Sequence, residues 1–124
     1  MNKSLLALNK TVVEYCINHG KWKWYLLYLK IIKKYRYKHK SLDKEESVRI
    51  FNDIDLYLEK KDILNRCLVR SSLAMVYLIG YNNKFTMNIG VGNKPFRAHA
   101  WISLEDIPIC EAEDIDAYTL LTQY

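Results

Sequence analysis

The chain has 124 residues, of which 50% are hydrophobic and 27% are charged, and this predicts one globular domain over residues 1–124. Its apolar runs, such as Trp24–Leu29, are far shorter than the roughly 20 residues that cross a bilayer, so neither a membrane span nor a signal peptide is expected. The three cysteines have wide, unpatterned spacing, which argues against a disulfide framework and a structural zinc site and favours the reducing cytoplasm.

The net charge of +5 is distributed unevenly along the sequence. Residues 21–44 contain nine Lys or Arg and one acid, Asp43, whereas six acids and no Lys or Arg follow Arg97. A basic stretch with aromatic neighbours can contact nucleic acid, an anionic membrane surface or an acidic peptide, although a solvated helix face is the commoner explanation. Because no recognised nucleic-acid motif accompanies the positive charge, we expect no nucleic-acid partner.

Residues 1–60 predict a helical part made of three helices. The first ends at the stop signal Asn18-His19-Gly20, and its apolar positions recur at helical spacing: Leu5, Leu8, Val12, Tyr15 and Cys16. The second, basic helix runs from Trp22 to Tyr37, with an apolar face of Trp22, Tyr25, Leu26, Leu29 and Ile32. The third follows a capping-box pattern of Asp43 and Glu46, with a predicted buried stripe of Val48, Phe51, Ile54 and Leu58.

Residues 61–124 predict one helix that leads into a small antiparallel sheet. The helix begins near residue 66 behind Asn65, a candidate N-cap, and ends at Gly80. Alternating apolar residues then predict a strand at 85–91, followed by a turn at 92–95, a strand at 98–104 and a short third strand at 107–110. Helices followed by a meander are typical of an α+β fold.

Cys67 lies in the first turn of the fourth predicted helix. The free amide groups and dipole of a helix N-terminus stabilise a thiolate, and Arg66 and Arg70 add positive charge close by in sequence. Since the thiolate is the nucleophilic form, Cys67 is a candidate nucleophile. A cysteine on an amphipathic helix is, however, more often a small core residue.

His99 stands between two alanines in a predicted strand, which leaves space beside its imidazole. A histidine base accepts the proton of the thiol and is held through its other ring nitrogen by a third group. The candidates for that group are all acidic: Glu105, Asp106, Glu111, Glu113 and Asp114. If the last two predicted strands pair, Glu111 returns near the level of His99, whereas Glu105 and Asp106 lie at the turn. A structural histidine is the alternative.

The stretch from Cys67 to Leu104 resembles the core of the lasso-peptide leader peptidases, which are transglutaminase-like proteins. It contains a C-L-x-R helix start at Cys67–Arg70, an I-G-V strand at Ile89–Val91 and an F-x-A-H-A-W strand at Phe96–Trp101. The resemblance implies a transglutaminase-like or papain-like core over residues 61–124, with Cys67 as nucleophile and His99 as base. The third position departs from the pattern: Cys110-Glu111 stands where asparagine and a carboxylate are expected, and Glu111 takes the role, with Asp106 and Asp114 as alternatives.

This resemblance implies a cysteine peptidase that removes the leader of a ribosomally made lasso-peptide precursor, without a metal or cofactor. The implied partners are the precursor peptide, a leader-recognition protein and the ATP-dependent macrocyclase that closes the core peptide. The chain resembles the stand-alone peptidase half of this system, and the basic helical region Trp22–Lys40 is a hypothesised docking site for the recognition protein or the leader. Two alternatives stay open: an acyltransferase that uses an amine instead of water, and a non-enzymatic basic helical adaptor that binds a peptide.

Overall fold

The computed structural model describes residues 2–38, 40–63, 66–82, 84–93, 96–109 and 119–124. Within these ranges the helices are α1 Lys3–Asn18, α2 Trp22–Tyr35, α3 Lys44–Glu59 and α4 Arg66–Leu78. The strands are β1 Phe85–Asn93, β2 Phe96–Leu104, β3 Ile107–Pro108 and β4 Thr119–Gln123. The predicted α+β fold, with helices first and a small antiparallel sheet after them, is confirmed. In the described part of the chain, no helix combines the length and the apolar character needed to cross a membrane.

The buried faces of α2 and α3 agree with the predicted ones. Tyr25, Leu29 and Ile32 of α2 are buried, as are Phe51, Ile54 and Leu58 of α3. The N-cap of α3 is Asp43, whose carboxylate accepts the N–H of Glu46 at 2.7 Å. The hydroxyl of Tyr25 donates to the carbonyl of Ser72 at 2.7 Å and so fixes α2 against α4.

The buried face of α1 differs from the predicted face. It consists of Leu6, Asn9, Val13 and Cys16, while Leu8 and Tyr15 are 60% and 51% exposed. Asn9 is buried because both ends of its amide are satisfied: it accepts from Tyr28 Oη at 2.6 Å and donates to Tyr77 Oη at 3.2 Å. Since α1 carries apolar residues on two sides, periodicity could not decide which side packs.

The sheet has the strand order β3-β2-β1-β4, and every neighbouring pair is antiparallel. The β1–β2 hairpin pairs from Phe85↔Leu104 to Asn93↔Phe96, and β3 pairs with the end of β2 at Ser103 and Leu104. The predicted meander of three strands is therefore confirmed over the described residues, although β3 ends at Pro108 and Cys110 lies outside them. β4 was not predicted, because its short segment is mostly exposed and follows an acidic stretch.

Candidate active site

The fold brings Cys67 and His99 into contact, although 32 positions separate them in sequence. Cys67 is the second residue of α4, in the first helical turn, and His99 lies on β2. Cys67 Sγ and His99 Nδ1 are 3.0 Å apart, a hydrogen-bonding distance. His99 is buried and Cys67 is half-buried. This arrangement allows a proton to pass between the thiol and the imidazole. The predicted N-cap Asn65 lies outside the described residues.

The backbone of Ala100 provides a second contact to the sulfur. Its N–H donates to Cys67 Sγ at 3.0 Å, and its carbonyl oxygen lies 3.4 Å from the same atom. Among the described residues, the hydrogen bond between β2 and the β3 side that lies nearest to Ala100 joins the N–H of Ile109 to the carbonyl of Ile102. Alternate residues of a strand direct their N–H and C=O groups to the same edge of the strand. The backbone groups of Ala100 therefore lie on the same edge of β2 as those of Ile102, and there they meet the first turns of α4. A donor at this point stabilises a thiolate more than a thiol.

Ser71, in the next turn of α4, fixes the backbone of Ala100 through its carbonyl group. Its hydroxyl, fully buried, donates to the Ala100 carbonyl at 3.0 Å. The neighbouring Ser72 is buried to the same extent, but its hydroxyl lies 3.7 Å from Met87 Sδ, in the core between α4 and the sheet. Sequence reasoning missed Ser71 and Ala100, because the edge position of this part of β2 is a property of the assembled sheet.

We expect Ser71→Ala to slow the alkylation of Cys67 several-fold, because the Ala100 N–H loses its fixed position beside the sulfur. The lost hydrogen bond should also lower the free energy of unfolding by about 1 kcal/mol. Ser72→Ala is the matched control and should leave the alkylation rate unchanged. Iodoacetamide kinetics and urea unfolding of both variants test this, and equal slowing in both would contradict a specific role for Ser71.

Arg66 and Arg70, which are close to Cys67 in sequence, both contact Asp55 of α3. Arg70 Nη1 donates to Asp55 Oδ1 at 3.2 Å, and Arg66 lies 3.9 Å from the same carboxylate while donating to the carbonyl of Leu58. Both guanidinium groups therefore join α4 to α3, and Asp55 balances much of their charge. The Ala100 N–H donates directly to Cys67 Sγ, and the dipole at the start of α4 adds to the stabilisation of a thiolate there.

The imidazole of His99 is supported by Trp101, two residues further along β2. The two rings are stacked with centroids 5.8 Å apart and an interplanar angle of 17°. Gly90 of β1 pairs with His99, and a Cβ atom at Gly90 would lie 2.9 Å from Trp101 Cη2 and 2.9 Å from the Thr119 carbonyl oxygen. Only glycine therefore leaves room for the indole. A glycine inside a strand is the sequence signal that points to such a close approach.

The third group of the predicted site is not among the described side chains. Glu111, Glu113 and Asp114 lie outside the described residues. Glu105 and Asp106 form the two-residue β2–β3 turn with φ of 51° and 70°, and both are exposed. Leu104, the last residue of β2, is five residues from His99, which corresponds to about 17 Å along an extended strand. At that distance Asp106 does not contact the imidazole.

Cys16 and Cys67, the two cysteines that the structure describes, lie in different settings. Cys16 is buried on α1, and burial raises the pKa of its thiol. Within the described ranges, no three His, Cys, Asp or Glu side chains come together as a group that could hold a metal ion.

The family comparison agrees with this arrangement. Residues 32–123 match the model of the Transglutaminase-like superfamily, and this match covers most of the chain, including Cys67 and His99. Comparisons with curated proteins and with solved structures give no match. Members of the superfamily are typically cysteine-dependent enzymes, among them peptidases and acyltransferases. From the family match over residues 32–123, the chain belongs to the Transglutaminase-like superfamily.

Proposed function

We propose that the protein is a cysteine peptidase that removes the leader from a lasso-peptide precursor, with Cys67 as nucleophile and His99 as general acid and base. The contact of 3.0 Å between Cys67 Sγ and His99 Nδ1 carries this proposal. Superfamily membership supports a cysteine-dependent enzyme. The resemblance of Cys67–Arg70 and Phe96–Trp101 to the leader peptidases supports the choice of substrate.

The chemistry proceeds in two steps. The Cys67 thiol transfers its proton to His99 Nδ1, and the thiolate attacks the carbonyl carbon at the junction of leader and core. The C–N bond breaks as the imidazolium protonates the departing amine, which leaves the leader bound to sulfur as a thioester. Water, deprotonated by His99, then attacks the thioester, and the leader departs as a carboxylic acid while the sulfur recovers its proton. The N–H of Cys67 in the first turn of α4 is the proposed donor to the oxyanion.

Glu111 is the proposed carboxylate that orients His99 through Nε2, with Asp114 as the alternative. The N–H of Ile109 donates to the carbonyl of Ile102 at 3.0 Å, so the chain runs back along β2 toward His99 just before Glu111. If Glu111→Ala cleaves the precursor at the wild-type rate while Asp114→Ala does not, the role belongs to Asp114.

The direct test incubates the protein with a lasso-peptide precursor and a leader-recognition protein, and candidates for both are sought among the genes that neighbour this one. Mass spectrometry should detect a leader and a core whose masses sum to that of the precursor plus one water. A leader–Cys67 thioester should be trapped when the reaction is stopped with acid. Cys67→Ala should yield neither species, and wild-type protein that yields neither would refute the proposal.

An acyltransferase is the second candidate, because the superfamily includes such enzymes. It would pass the leader from Cys67 to an amine instead of water. Adding a primary amine to the same reaction separates the two, since transfer gives a leader with the amine attached and hydrolysis gives a free leader acid.

A further inference from the structure

An apolar groove with a basic rim lies between α2, the C-terminal part of α4 and the start of β1. Its volume is about 410 Å³, within the range of ligand-binding clefts. The apolar residues that line it are Leu26, Leu29, Met75, Ile79 and Phe85, with Tyr124 beside them. Lys30, Lys33 and Lys84 complete the lining, and we call this feature the lysine-rimmed groove.

No ion pair with a described side chain neutralises the three lysines. The ion pairs found among the described residues involve Lys10, Arg66 and Arg70, and none involves Lys30, Lys33 or Lys84. Every described charged side chain that lines the groove belongs to a lysine, and all three lysines are exposed. Like charges around an apolar depression create a positive potential that an anionic ligand relieves.

We propose that the lysine-rimmed groove binds a segment of the peptide substrate that carries both apolar and acidic side chains. The proposal rests on the proposed function, because that function makes a peptide the substrate. Lys30 and Lys33 lie on α2, while Lys84 stands across the groove before β1. Cations on two walls suit several carboxylates spaced along a chain, with apolar side chains on the floor between them. A fatty acid has a single carboxylate, so it cannot pair with the lysines on both walls at once.

The position of the groove fixes where this segment lies in the substrate. Met75 on the groove floor follows Cys67 by eight residues of the same helix, which is about 12 Å at 1.5 Å per residue. An extended peptide advances roughly 3.3–3.6 Å per residue. At least about four substrate residues therefore separate the scissile bond from the segment in the groove.

Binding can be measured without catalysis. The probe is a fluorescein-labelled synthetic peptide of 12 residues in which Leu and Glu alternate with Gly and Ser, and the protein is the full chain carrying Cys67→Ala. Fluorescence anisotropy should show binding that weakens as salt rises. Adding K30E, K33E and K84E together should weaken binding at least about tenfold, because the rim changes sign.

A matched control carries the same change in net charge elsewhere. K3E, K34E and K60E alter exposed lysines that do not line the groove and should change affinity by less than about twofold, the effect of long-range charge alone. Circular dichroism verifies that both triple variants fold. A probe with Gln in place of Glu, or with Ser in place of Leu, should bind weakly if the groove recognises both the acidic and the apolar side chains.

Three results would overturn the inference: equal losses in the two triple variants, undiminished binding of the Gln probe, or displacement of the peptide by oleate at lower concentration than unlabelled peptide. The last result would assign the groove to a lipid. Because the binding assay uses the Cys67→Ala variant throughout, it tests peptide binding by the groove independently of cleavage. Conversely, peptide binding together with a wild-type Cys67 that stays unreactive even when the leader-recognition protein is added would refute the proposed function alone.

Discussion

Replacing His99 with alanine should slow the reaction of Cys67 with iodoacetamide at pH 7 by roughly tenfold or more. An ordinary thiol with a pKa of about 8.5 is only a few per cent thiolate at this pH. In the wild type, the imidazole 3.0 Å from Cys67 Sγ can take the thiol proton and remain beside the thiolate as a cation. Without His99, the helix N-terminus and the Ala100 N–H are left to stabilise the anion.

Peptide mapping by mass spectrometry follows each cysteine separately over a pH series. Cys16 is an internal control: it is buried and its thiol pKa is raised, so it should react slowly in both proteins. The matched variant is His19→Ala, which removes an exposed histidine that stacks on Tyr15 at the end of α1. It should leave the Cys67 rate unchanged.

The opposite result has a clear meaning. If Cys67 reacts like an ordinary thiol and His99→Ala changes nothing, the pair does not activate the sulfur in the isolated chain. The adaptor interpretation would then gain support, unless addition of the leader-recognition protein restores the reactivity.

Local sequence signals were sufficient for most of the fold. The apolar stripes of α2 and α3 are one-sided enough to set their buried faces, and Asp43 marks the start of α3. The alternation in β1 and β2 defines the hairpin. Local features, a helix N-terminus and a strand with small neighbouring side chains, singled out Cys67 and His99 as separate candidates. The resemblance over Cys67–Leu104 then indicated that the two belong together.

The remaining features depend on long-range packing. α1 is apolar on two sides, and its buried side is fixed by the hydrogen bonds of Asn9 to Tyr28 and Tyr77 on other helices. Arg66 and Arg70 are neighbours of Cys67 in sequence, yet Asp55 on α3 attracts both side chains. The sequence gave no indication of this pairing with Asp55, nor of the contact between Ala100 and the sulfur.

Gly90→Ala should both destabilise the protein and slow the alkylation of Cys67. The new methyl group would lie 2.9 Å from Trp101 Cη2 and from the Thr119 carbonyl oxygen, so the indole or β4 must move. Overpacking of this kind costs about 1–3 kcal/mol of unfolding free energy. Because Trp101 stacks on His99, we expect the imidazole to lose its alignment with Cys67 Sγ. The alkylation rate of the folded variant should fall toward that of His99→Ala.

Gly80→Ala separates the two effects. A Cβ atom at Gly80 would lie 2.9 Å from the Arg36 carbonyl oxygen, a clash of similar severity after the end of α4, remote from Cys67 in its first turn. Urea unfolding should show comparable losses of stability in the two glycine variants, whereas only Gly90→Ala should slow Cys67. If both variants lower the alkylation rate of Cys67 in proportion to their loss of stability, the rate reflects a general destabilisation of the fold. If Gly90→Ala alone does so, the glycine in β1 acts on the thiol through the indole and the imidazole.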